Sequence, residues 1–284
     1  DRLFAPPKRT NFLPEGANPI YDKEMRSEIF SGGTLMLRVV IQISMVLAIP
    51  LMAVCLYLYT HLAPWYIAYV LLFNMLCGPV FSAGSVASER ERQTLDLLLT
   101  TLITPWQILW GKLLAGLRVS TVLTSFLLWP VLLACVMPLP YWTENVWNLA
   151  TMAGYFVAVL LTCLTTSLTG LLCSTLYSKT STALIASYLM IITLFLAPLA
   201  GRYFAETFYQ GTAAAEVVSS ACAVSPYAAV FALPLDVDPD AQTPEQVTGE
   251  PLLFAAYVVW SLVYNAVLLG LLMWLFQTRW RVAD

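Results

Sequence analysis

Charge is what this chain has least of. Asp, Glu, Lys and Arg supply 11% of its 284 residues, against roughly 25% in an average soluble domain. Too few charges are present to coat a water-soluble surface of this size. Histidine is nearly missing: the single copy, His61, ends an apolar run, which removes most serine–histidine nucleophile pairs and histidine-based metal clusters from consideration. No G-x-x-x-x-G-K-[ST] loop occurs, because Gly111-Lys112 lacks the leading Gly and the trailing hydroxyl residue. The apolar runs carry no acidic residue in their middles, so a carboxylate relay for coupled ion transport has no place. Basic patches of the kind that bind nucleic acid are absent as well. The six cysteines (Cys55, Cys77, Cys135, Cys163, Cys173, Cys222) show no C-x-x-C spacing and read as small buried hydrophobes. Neither a catalytic residue, a metal site nor a bound cofactor is expected in this chain.

What is present is apolar sequence, 59% of the chain, in runs of about the 20 residues that a helix needs to cross a bilayer core. Hydropathy places spans at 36–58, 64–87, 113–137, 147–176, 182–200 and 252–276. No ten-residue alternating pattern favours a barrel. The expected fold is an all-α integral membrane protein with six transmembrane helices. Basic residues stay on the cytoplasmic side during insertion. With both termini cytoplasmic, Arg2, Lys8, Arg9, Lys23, Arg26, Arg38, Arg90, Arg92, Lys112, Arg118, Lys179, Arg279 and Arg281 all fall inside, and Arg202 alone outside. The outer segments carry Glu144, Glu206, Glu216, Asp236, Asp238, Asp240, Glu245 and Glu250. A cleaved signal peptide ahead of Asp1 is not expected, since it would put the basic N-terminal segment outside.

The chain reads as one transmembrane domain, 1–284, with three distinctive segments. In the first, 1–33, Asn18 suits an N-cap and Pro19 a first helical position. Tyr21, Met25, Ile29 and Phe30 then form a narrow apolar stripe, with Asp22, Lys23, Arg26 and Ser27 around the rest, as in a helix lying along a membrane surface before Gly32-Gly33 turns into the bilayer. In the second, 88–112, Ser88 and Glu91 fit a reciprocal capping box, and Thr104 with Gln107 fits another. Leu95, Leu98, Leu99 and Leu102 make one apolar face, with Arg92 and Asp96 spaced to pair on another side. A short amphipathic helix on the cytoplasmic surface is expected there. In the third, 201–251, the apolar stretch from Val217 to Leu235 is broken by Ser225-Pro226 and Pro234, each piece too short to cross. Short helices dipping into the outer leaflet and a compact cap over the spans both fit it. Within the spans, Gln42, Asn74, Thr162, Thr165, Thr166, Ser167 and Thr169 read as helix-packing groups rather than substrate contacts.

The run Glu89-Arg90-Glu91-Arg92-Gln93-Thr94-Leu95-Asp96-Leu97-Leu98-Leu99-Thr100-Thr101, followed by Gly111-Lys112-Leu113-Leu114, resembles the E-R-E-x-G-T-[LM]-[DE]-L-L-L-[TS]-T pattern and GK-[LI] span start of ABC-2 type permeases. Gln93 departs from it, standing where members often have Gly. Asn18-Pro19 with Lys23-Glu24 is similar to that family's N-terminal interfacial helix, and Ser225-Pro226-Tyr227 to a motif between its last two spans. The resemblance covers nearly the whole chain. It implies the membrane subunit of an ABC exporter in a bacterial cytoplasmic (inner) membrane. The implied partners are an ABC ATPase subunit, which would carry the ATP and Mg, a second permease, same or homologous, and membrane lipid. It also implies that the helix after span two is the coupling helix, with Glu89, Arg90, Glu91, Arg92 and Thr94 in polar contact with the ATPase. Leu95, Leu98 and Leu99 would pack against the ATPase or against the interfacial helix of Asn18, Pro19, Tyr21, Lys23, Glu24, Met25 and Arg26. The alternative is a six-span scaffold or assembly factor that moves nothing.

Overall fold

The computed structural model describes residues 35–58, 62–95, 104–136, 146–209, 221–233 and 251–279, together with Ile20 and Val218. Among them there is no strand. The elements are α1 (Leu35–Met52, continued by a π-helical turn, Ala53–Leu58), α2 (Ala63–Ser82), α3 (Ala87–Glu91), α4 (Pro105–Val136), α5 (Val146–Leu176), α6 (Thr180–Phe208), α7 (Pro226–Phe231) and α8 (Pro251–Arg279). Five helices are long and apolar enough to cross a membrane: Ala63–Glu91, Trp106–Trp129, Ala150–Leu176, Thr180–Ala205 and Pro251–Phe276. These coincide with the second to sixth expected spans. The first expected span is helical too, but its described apolar stretch, Gln42–Cys55, is shorter.

The helices begin where local chemistry satisfies their first N–H groups. Pro64 opens α2, where a missing N–H costs nothing. Thr104 and Gln107 form the expected reciprocal box ahead of α4, the Gln107 N–H donating to Thr104 Oγ1 at 3.4 Å and the Thr104 N–H to Gln107 Oε1 at 3.2 Å. Thr162, Thr165, Thr166 and Thr169 each donate a hydroxyl to the carbonyl four residues back in α5. These groups are satisfied inside their own helix, as expected of Thr in an apolar environment.

Burial ranks the helices. The apolar window of α5 is 78% buried and that of α2 with α3 72%, whereas those of α6 and α8 are 22% each. So α5 and α2 form the core, and α6 and α8 ride on α5 with their apolar faces outward. Close approach of α2 to α5 depends on small residues. A Cβ on Gly78 would meet Thr166 Oγ1 at 2.6 Å, and one on Gly170 would collide with the Ser82 side chain. Small residues at such contacts let helix backbones approach, which is how helices associate in lipid without a hydrophobic driving force.

Two apolar clusters fill the interior. One holds Tyr66, Val70, Leu127, Tyr155, Val159 and Val230. The other holds Ile20, Leu95, Leu109, Leu113, Leu172 and Leu272. Polar groups join helices between them: Asn74 donates to Thr124 Oγ1 at 3.3 Å and accepts from Thr166 at 3.0 Å, and Asn265 of α8 donates to Thr165 Oγ1 at 3.0 Å. Asn74 is fully buried, whereas Gln42 faces outward.

Candidate functional site

The charged residues that the sequence singles out between α2 and α4 gather at one end of the bundle. The backbone turns after Ser82, α3 runs for five residues, and a second turn follows at 92–93. The expected Ser88–Glu91 capping box is not formed. Val86 takes the N-cap position and Ser88 lies inside the helix, because the helix starts earlier: the Ser88 N–H already donates to the Gly84 carbonyl at 3.0 Å and the Arg90 N–H to the Val86 carbonyl at 3.1 Å. Ser174 Oγ of α5 accepts from both the Val86 and the Ala87 N–H at 2.9 Å.

Glu89, Arg90 and Glu91 each reach a different helix of the bundle. Glu89 is buried and pairs with Lys112 of α4 at 3.2 Å, and the Lys112 ammonium also donates to the Ser85 carbonyl at 2.7 Å. Arg90 extends over the C-terminus of α5, where Nη2 donates to the Thr175 carbonyl at 2.8 Å and Nη1 to the Tyr177 carbonyl at 3.2 Å. Glu91 crosses to the start of α6, its two oxygens accepting from the Thr180 N–H and the Thr180 hydroxyl at 2.9 Å each. A cation thus sits at a helix C-terminus and an anion at a helix N-terminus, each where the backbone dipole favours it.

Residues 89–91 and residues 92–94 have different surroundings within the chain. Side chains 89–91 hold the chain's own helices, because those helix ends offer carbonyl and N–H groups that a neighbouring charge satisfies. Arg92, Gln93 and Thr94 are exposed, while Leu95 is 3% exposed in the apolar cluster beside Ile20, Ile108 and Leu109. Gln93 has φ of 56°, in the left-handed region that suits glycine. That geometry explains why glycine would fit the position, and it ends α3. Leu98 and Leu99 lie outside the described residues, as do Asn18, Pro19, Tyr21, Lys23, Glu24, Met25 and Arg26. Ile20, which is described there, is helical and 3% exposed.

Sequence reasoning missed Lys112 as a buried ion-pair partner, Ser174 as a cap and Ile20 as a packing residue. The Gly111-Lys112 pair at a span start was the available signal for the first; the other two carry none. At the opposite end, the piece around Ser225 packs against the long helices. Ser225 Oγ donates to the Phe195 carbonyl of α6 at 2.7 Å, and Pro226, Ala229 and Val230 are buried. A cavity of about 670 Å³ opens between α5, α6 and α8, lined by Cys173, Leu189, Met190, Leu194 and Tyr264 among others. Its lining is almost wholly apolar. The described residues hold no group of three or more His, Cys, Asp or Glu side chains placed to bind a metal ion. No curated protein matches the chain. Residues 18–280 match the family model described as ABC-2 family transporter protein.

Proposed function

Because the chain belongs to the ABC-2 transporter family, and so is the multi-pass membrane permease of an ABC transporter, we propose that it is an exporter subunit driven by a separate ATPase. In this reading it crosses a bacterial cytoplasmic membrane six times with both termini inside. A second permease, the same or homologous, completes the pathway, and ATP with Mg is bound by the partner ATPase. The outward direction rests on the family likeness.

One observation carries the ATPase reading. The segment after α2 is anchored on three helices through residues 89–91, yet it presents Arg92, Gln93 and Thr94 to solvent. A docking element that transmits force needs both properties: contacts open to a partner, and a base that does not yield when the partner moves. Charged and polar groups at such a contact mainly set partner choice and association rate. Leu98 and Leu99 complete the proposed contact, and Leu95 braces it against the permease and the interfacial helix.

The test is recovery of the ATPase with the permease in mild detergent. Arg92→Glu should lower that recovery about tenfold, the size of an interfacial hot-spot loss, with the permease inserted normally. A membrane-impermeant maleimide should reach Thr94→Cys from the cytoplasmic face only. Labelling from the outer face would overturn the topology. A purified assembly free of any ATP-hydrolysing companion would leave the chain a six-span scaffold.

A further inference from the structure

We propose that Arg90 and Glu91 are positioning residues that carry movement of the 87–95 segment into the turn at 177–179, and through it into α5 and α6. The proposal rests on the reading that 87–95 receives an ATPase, and it adds where the stroke goes next.

The turn between α5 and α6 lacks the means to close its own helix ends. Lys179 occupies the N-cap position of α6 with φ of −107° and ψ of 135° and has no side-chain acceptor to offer. The acceptor comes instead from Glu91, 89 residues away in the chain. At the other side of the turn, the carbonyls of Thr175 and Tyr177 at the end of α5 are taken by Arg90. The exchange runs both ways, because Ser174 of α5 accepts the first N–H groups of α3. Each of the three helix ends is thus completed by a side chain from another segment.

Mechanical consequences follow from the distances. A relative shift of roughly 1 Å takes a 2.9 Å hydrogen bond beyond useful range. Were 87–95 to move while α5 and α6 stayed in place, the bonds of Ser174, Arg90 and Glu91 would all lengthen together, and helix-terminal groups would lose their partners. Moving the turn with the segment keeps every bond. The Glu89–Lys112 pair fastens the same segment to α4, so the start of the third expected span travels along. The exposed residues 92–94 remain available to the ATPase because the gripping is done by 89–91.

The experiment uses the permease with its co-purified ATPase in lipid nanodiscs. Amide hydrogen exchange is followed for peptides covering 87–95 and 174–184, without nucleotide and after trapping with ATP and vanadate. In the wild type both peptides should respond to nucleotide. Glu91→Gln keeps the shape of the cap without its charge, and Arg90→Lys keeps the charge without the forked reach. In either variant the response of 87–95 should persist, while that of 174–184 falls by about fivefold, the population change expected when one charged cap is weakened. A wild-type-sized response of 174–184 in both variants overturns the proposal. So does exchange that rises by the same factor with and without nucleotide, which is what a purely structural cap would give. If 87–95 responds in the wild type and 174–184 does not, the clamp is wrong and the ATPase reading stands. If no ATPase co-purifies, or 87–95 itself is silent, the ATPase reading fails and takes the clamp with it.

Discussion

At the end of the bundle that carries Arg90, Lys112 and Lys179, helices are joined through charges and borrowed caps. At the opposite end, Ala229 and Val230 of α7 are inserted, fully buried, among Tyr66, Val70 and Tyr155 of α2 and α5. The two joints hold in different ways. The charged end is directional: each bond specifies one donor, one acceptor and one relative position of two helices. The wedge at the other end is held by shape, and its contacts change gradually as helices tilt.

The contrast breaks hardest at Lys112. Lys112→Ala leaves Glu89 buried without its cation, a change expected to cost about 3–5 kcal/mol, read as a lower unfolding midpoint in detergent. Replacing both members, Lys112→Met with Glu89→Leu, should restore most of that stability, because the penalty comes from the orphaned charge. Next in size is the wedge. Ala229→Leu overfills a closed site at a cost of about 1–3 kcal/mol, and no change of charge elsewhere should rescue it. Ser225→Ala removes one hydroxyl-to-carbonyl bond at the same end and should cost about 1 kcal/mol. The smallest effect sharpens the comparison from the charged side. Gln93→Gly removes the steric penalty of a left-handed residue, about 1–2 kcal/mol, against a loss of about 0.4–1 kcal/mol in chain entropy. A slight gain in the unfolding midpoint with unchanged ATPase recovery is expected, and a clear loss would mean that the Gln93 side chain itself makes a needed contact.

Long apolar helices are written in composition and run length, so α2, α4, α5, α6 and α8, which are long and apolar enough to cross a membrane, overlap the second to sixth expected spans. The capping box at Thr104 was equally legible, since donor and acceptor lie three residues apart. The box at Ser88 had the same spacing and does not form. Local pattern cannot show that Ser174 caps the helix two residues earlier, at Val86 and Ala87, nor that Glu91 will be drawn to Thr180. The outer piece around Ser225 was legible as short and interrupted, but how closely it packs depended on how small its residues are. Ala228 and Ala229 allow α7 to sink between helices. Besides the Glu89–Lys112 pair and Ile20, the part of the candidate site that escaped the sequence is made by contacts 85 to 89 residues apart.

Glu91 precedes Thr180 on the ribosome by the whole of α4 and α5, so the acceptor for the start of α6 already exists when that hairpin emerges. Residues 87–91 and 174–180 form a single hydrogen-bonded unit split across the sequence. Chimeras of two related permeases joined anywhere between them would marry each half to a stranger, and crossover points outside both segments should give far better yields of folded protein.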